Sequence, residues 1–176
     1  MSGGKQANES GNAWEAWVKI VAQKHGFHIL PYAERKKHIP ILGEEGYVWL
    51  RAPYLTIYQT EKTPKANSEF VFETTSERIR VECKWQNDAG SVDEKYLFMY
   101  LNAVLTIEEP TIIFALGGSH FVESERGRDI RQWLINVCKN PPSWLSEDAI
   151  QRWKSKELLV LDNNSFERWF RERFKK

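Results

Sequence analysis

The stretch RIRVECKWQNDAGSVDEKY, Arg78–Tyr96, decides how this chain folds. In a strand, successive side chains point to opposite faces. Ile79, Val81, Cys83 and Trp85 therefore share one face, and Arg80, Glu82, Lys84 and Gln86 share the other. The apolar set can pack beneath a helix. The polar set lines up a carboxylate, an ammonium and an amide in steps of about 7 Å, two residues at roughly 3.3 Å each. Regular charges of this kind either keep an exposed edge strand soluble or form a site. Trp85 and Gln86 continue a strand that reads as central, which favours the site.

Just upstream, EFVFE (69–73) has strand composition, and TTSE (74–77) is a short polar link, so the two strands read as an antiparallel hairpin. That pairing brings Glu69 near Glu82. Two carboxylates converging beside Lys84 make a hard, oxygen-rich pocket suited to Mg²⁺, with Mn²⁺ as a substitute. The backbone carbonyl of Cys83 points the same way if the strand is regular. Such a pocket suits phosphodiester hydrolysis, with Lys84 orienting water or stabilising developing charge. The competing reading of Glu69 is a cross-strand ion pair with Lys84 or Arg80.

Downstream, Ser91 and Glu94 have capping-box spacing and open a helix over about 92–107. After Pro110, TIIFAL is a continuous apolar run, as expected of a strand buried on both faces. Helices near 126–138, from Ser146 to about 154 and over 165–174 follow, with a strand, LLVLD, at 158–162. Toward the start, Asn12 and Glu15 have capping-box spacing ahead of an apolar stripe of Trp14, Trp17, Val18, Val21 and Ala22. Gly26 ends that helix and FHIL begins a strand before Pro31. Residues 31–53 read as irregular because Pro31, Pro40, Gly43, Gly46 and Pro53 interrupt them, and YLTIY (54–58) reads as the next strand.

The chain has 176 residues, is 41% hydrophobic and 28% charged, and carries a formal net charge of +1. These values fit one globular domain over 1–176, with a flexible polar start over 1–11. They exclude a global field that draws in nucleic acid, leaving only local basic patches for that purpose. Cys83 and Cys138 form no CxxC pair, which argues against a zinc ribbon or disulfide scaffold and suits a reducing cytoplasm. No run reaches the roughly 18 apolar residues of a membrane span.

NSEFVF followed by IRVECKWQ resembles the acid-then-ExK signature of the PD-(D/E)XK nuclease superfamily. ECKWQ…GSVDEKY followed by LN is similar, more narrowly, to small nuclease-like proteins of phages and prophages. The resemblance spans about residues 12–118 and is specific over 68–96. It implies an α/β, restriction-endonuclease-like fold with an αβββαβ core, a central mixed sheet flanked by helices, and extra helices at the C-terminal end. It further implies a metal-dependent nuclease acting on DNA in the cytoplasm, that of a bacterial host if phage-encoded, with no membrane partner and room for a homodimer. By resemblance, Glu69 stands where the superfamily has an aspartate as first metal ligand, with Glu73 its nearest competitor. Glu82 is the second ligand, Lys84 the catalytic lysine and Gln86 a helper. Glu15 is a further metal-site candidate, open to a capping or ion-pair role instead. Lys95, Lys36, Lys37 and His120 are candidates for touching substrate. The same features leave open a protein that keeps the nuclease fold and binds nucleic acid without cutting it.

Overall fold

The computed structural model describes residues 3–41, 46–58, 66–87 and 94–174, with side chains from residue 12 onward. Six strands form one sheet in sequence order: β1 (His28–Pro31), β2 (Tyr47–Tyr54), β3 (Ala66–Glu73), β4 (Arg78–Trp85), β5 (Thr111–Gly117) and β6 (Glu157–Leu161). β2, β3 and β4 run antiparallel, whereas β1 joins β2, β5 joins β4, and β6 joins β5 in parallel. The helices are α1 (Gly3–Lys24), α2 (Lys95–Leu105), α3 (His120–Glu123), α4 (Glu125–Lys139), α5 (Glu147–Lys154) and α6 (Asn163–Arg173). This is the expected mixed sheet with an αβββαβ core and added C-terminal helices.

The alternation of β4 sorts the two cores. Ile79, Val81 and Cys83 join Phe70, Phe72, Ile113 and Ala115 beneath Trp14, Val18, Val21 and Ala22 of α1 and Phe166 and Phe170 of α6. On the opposite face, Ile112, Phe114, Leu116 and Leu158 pack against α2, α4 and α5. Every residue of β5 is buried, because parallel neighbours flank it and helices cover both faces. A tight turn closes the end of β5: Gly118 has φ +102°, and a Cβ there would lie 2.1 Å from the Gln86 carbonyl oxygen.

Four expectations are corrected. Residues 47–54, read as irregular, form β2, and 54–58 is not a strand beyond Tyr54. Val48 and Leu50 face the α1 core while Trp49 between them is buried on the other face, so burial does not alternate, and the facing changes again at Arg51. α1 begins at Gly3, so Asn12 lies within the helix and is no cap. α6 starts at Asn163, two residues early, because Asp162 and Ser165 form a reciprocal capping box. A short α3 precedes α4, where a loop was read. The proposed cap at Ser91 lies outside the described residues.

One buried ion pair ties the sheet to its connections. Arg80 is 3% exposed and donates through Nε and Nη2 to Glu109 at 2.8 and 3.1 Å, through Nη1 to the Ala52 carbonyl and Ser68 Oγ, and through Nη2 to the Pro53 carbonyl. Burial alone raises the Glu109 carboxyl. The Arg80 hydrogen bonds and the nearby Arg78 charge outweigh burial and hold it below the ordinary value of 4.5. A depressed carboxyl contributes stability above its unfolded pKa and loses it as pH falls through the folded value. Glu109→Gln should therefore lower unfolding free energy in urea at pH 7 by about 3–5 kcal/mol, because Arg80 is left buried with its charge uncompensated. The deficit should shrink when the same titration is run below pH 4.5.

Candidate active site

The site lies where β3 leaves β4. The ladder between them ends at Phe70↔Val81, so Glu69 is free of strand pairing with β4. Its carboxylate instead accepts from the Cys83 backbone N–H at 3.0 Å and from Lys84 Nζ at 3.2 Å. Lys84 Nζ also donates to the Cys83 carbonyl at 2.9 Å and lies 3.8 Å from Glu82 Oε2. Glu69, Glu82, Lys84 and the Cys83 carbonyl thus meet at one point. The ion-pair reading of Glu69 and the site reading coincide in the same contact.

Glu82 is 4% exposed, and its Oε1 meets no hydrogen-bond donor among the described residues. Burial pushes its carboxyl well above the usual carboxylate range. Lys84 pulls it partway back, and the Glu69 carboxylate raises it again. For Lys84 burial works the other way, but the two carboxylates outweigh it, so the ammonium holds its proton more tightly than an ordinary lysine. Glu15 comes from α1 to the same neighbourhood. Burial and then Glu69 raise its carboxyl, while Lys19, Lys84 and Arg51 pull it down. Tyr54 closes the opposite side. Arg80 lies over its ring at 5.2 Å, and burial followed by the Glu82 charge pushes its hydroxyl up to about 12.

Glu15 and Glu69 line an open cleft of about 510 Å³ together with Asn12, Lys19, Leu50, Arg51, Asn67, Ser68 and Phe70. Carboxylates crowded by burial, one with an unpartnered oxygen, beside an open cleft and a protonated lysine, are groups whose environments have been pushed away from their resting pKa values.

A model of the PD-(D/E)XK nuclease superfamily domain matches residues 6–169. The chain belongs to this superfamily. No curated protein and no solved structure matches the chain. Nucleases of the superfamily generally use divalent metals. The donors here suit such an ion, since the unsatisfied Glu82 oxygen, the Glu69 carboxylate and the Cys83 carbonyl are all hard oxygens. No cluster of three His, Cys, Asp or Glu side chains able to hold a metal occurs among the described residues, so a main-chain carbonyl has to complete this set.

The other candidates are placed as follows. Gln86 is buried, and its Oε1 accepts from the Tyr96 hydroxyl at 3.1 Å, which links the end of β4 to the start of α2. Lys95 opens α2 with its side chain exposed. Glu73 is removed from the competition for the first carboxylate. Burial alone would raise its carboxyl, but Arg35 and Trp49 hold it and keep it low. Arg35 docks at Glu73, four residues or about 13 Å along β3 from Glu69, and Lys36 and Lys37 follow it in the same 3-10 turn. They do not join the cleft residues. His120, expected to approach substrate from a loop, is 1% exposed and meets Ser124 Oγ through Nδ1 at 2.8 Å. The reason is that the GGSH segment turns straight into α3 rather than opening to solvent. Arg51, Lys19 and Tyr54 were not singled out as site residues by sequence; the Val48–Leu50 spacing is the signal that would have placed Arg51 on a strand.

A carboxyl held above its unfolded value contributes stability below that unfolded value and loses it as pH rises. In EDTA, Glu82→Gln should therefore match or exceed the wild-type melting temperature. Its advantage should grow from pH 5 to pH 8, as followed by circular dichroism.

Proposed function

We propose that the protein is a divalent-metal-dependent nuclease that hydrolyses DNA phosphodiester bonds, with Mg²⁺ as cofactor and Mn²⁺ as substitute. The observation that carries this reading is the convergence of Glu69, Glu82, the Cys83 carbonyl and Lys84 on one point at the end of β4, beside an open cleft. Glu69, Glu82 and the Cys83 carbonyl would hold the ion, with Glu15 the nearest further carboxylate. A bound divalent ion would supply positive charge at the phosphate and a more acidic water at neutral pH.

Lys84 stays protonated between its two carboxylates, so it serves as a donor rather than a base. It orients the attacking water and stabilises the negative charge that develops on the phosphoryl oxygens. In the reaction a water oxygen bonds to phosphorus, the bond from phosphorus to one sugar oxygen breaks, and that oxygen takes up a proton. Gln86 acts indirectly, by anchoring the end of β4 to Tyr96. Exposed Lys95, one residue from Tyr96, would meet the backbone of a bound strand. No described surface supports a homodimer. No helix among the described residues is long and apolar enough to cross a membrane.

One observation favours a second reading, a fold that binds nucleic acid without cutting it. Lys84 Nζ already bridges Glu69 and the Cys83 carbonyl, two of the three oxygen sources an ion would use. The two readings separate on metal uptake. Titration calorimetry with Mn²⁺ should show binding to the wild type and its loss in Glu82→Ala. With Mg²⁺, the wild type should cut duplex, single-stranded or branched DNA, and Lys84→Ala should cut at least about 100-fold more slowly. Metal-independent DNA binding with no Mn²⁺ uptake and no cleavage would establish the second reading.

A further inference from the structure

Arg51 is the one described non-glycine residue with a positive φ, at +54°. It lies inside β2, between Leu50↔Phe70 and Ala52↔Ser68 of the ladder with β3. The left-handed conformation there swaps the facing of the strand. Leu50 packs with the α1 core, whereas Ala52, of the same parity, packs with Trp49 and Val71 on the other side. A β-carbon is disfavoured in this conformation and glycine is not, so an arginine at this position carries strain that its backbone role does not require.

The strain is held from behind. Buried Arg80 donates to the carbonyls of Ala52 and Pro53, the two residues that follow Arg51. With the chain pinned there, the Arg51 side chain emerges exposed into the cleft that holds Glu15 and Glu69. It makes no hydrogen bond or ion pair among the described residues, in contrast with Arg35, Arg80, Arg131 and Arg173, each locked to a carboxylate. Lys19 of α1 lines the same cleft, where its ammonium lies 5.9 Å from the centre of the Phe70 ring. Two cations thus share a cleft with two of the site carboxylates, on a protein whose net charge of +1 gives no general attraction to a polyanion.

We propose that Arg51 is a phosphate-binding residue, whose guanidinium, assisted by Lys19, holds a backbone phosphate of the nucleic-acid substrate in the cleft beside Glu15 and Glu69. The proposal rests on the nuclease reading for its substrate. A guanidinium presents paired N–H donors that match two phosphate oxygens, which an ammonium cannot do. The kink aims that fork at the cleft, and the Arg80 network keeps it aimed without using its donors.

Glycine gives a clean test, since Arg51→Gly removes the guanidinium and relieves the backbone together. Its melting temperature should equal or exceed that of the wild type. Binding of a fluorescently labelled DNA duplex, read by anisotropy in EDTA so that no cleavage occurs, should weaken about tenfold at moderate salt. The slope of log K against log[salt] should fall in magnitude by about 1, as for loss of one phosphate contact. Arg51→Lys should fall between the two, and Lys139→Ala, at the exposed end of α4, should bind like the wild type. With Mg²⁺, the loss in Arg51→Gly should appear mainly in KM.

Wild-type binding and salt slope in Arg51→Gly, with cleavage intact, would overturn the phosphate role and leave the nuclease reading standing. So would a marked drop in melting temperature, which would make Arg51 structural. A wild type that binds the duplex but never cuts it, with Arg51→Gly binding weakly, would keep the phosphate role and overturn the nuclease reading. A wild type that binds no DNA would overturn both.

Discussion

The buried pair between Arg80 and Glu109 is the constraint on which the rest of this structure depends. A guanidinium with almost no solvent contact must find partners for all its donors. Arg80 finds them in four places: the Glu109 carboxylate after α2, Ser68 on β3, and the carbonyls of Ala52 and Pro53 on β2. Those bonds fix the end of β2 and the start of β3 where the two strands change facing. The sheet is regular below this level, with Val48, Phe70, Phe72 and Ile79 alternating into one core. Above it, Ser68 turns toward Arg80, and Glu69 turns toward the cleft. The Glu69 carboxylate is therefore positioned from behind by an ion pair that takes no part in the proposed chemistry.

In front of that pair the electrostatics run the other way. Around Arg80 the charges are matched, and the Glu109 carboxyl is held low. Around Lys84 burial, with the Glu69 carboxylate adding to it, pushes Glu82 and Glu15 both up, and the Lys84 ammonium offsets this only in part. A fold gains nothing from leaving Glu82 Oε1 buried with no donor among the described residues, and an apolar side chain would cost less at that position. The arrangement makes sense as a site short of positive charge, to be completed by an ion, a phosphate-bearing ligand held by cations, or both. Arg51 and Lys19 stand at the open side of the same cleft, where the polyanion would have to enter.

Much of this was legible in the sequence because β4 keeps a strict two-residue period for eight residues. That period alone separated Ile79, Val81 and Cys83 from Arg80, Glu82 and Lys84, and the short TTSE link made the β3–β4 pairing the simplest one. The failures share a physical origin. Pro53 inside β2 and the prolines and glycines before it made Tyr47–Tyr54 look irregular, and the facing change at Arg51 removed the period that would have countered them. Glu109 follows α2 by four residues and shares no local pattern with Arg80, because buried ion pairs across 29 residues leave no periodic trace. His120 read as a loop residue because a single turn of helix is too short to show its own period. Local pattern reports which face a side chain takes; it does not report which strand ends, or which partner from another element, decides where that face leads.

The presence of glutamate where the superfamily resemblance led us to expect aspartate follows from the same geometry. An aspartate on a strand still paired to its neighbour projects its carboxylate from a fixed ladder position. Glu69 stands one residue beyond the end of the β3–β4 ladder, on a strand that has begun to diverge toward the cleft. From there the carboxylate must reach back to the Cys83 N–H and to Lys84, and it does so at 3.0 and 3.2 Å. Removing one methylene shortens that reach by about 1.5 Å, the length of one carbon–carbon bond, and would leave the Cys83 N–H without its acceptor. The longer side chain thus spans the gap left where the strands part. The parting, in turn, is what gives Glu69 room to stand between the buried carboxylate of Glu82 and the open cleft of Glu15 and Arg51.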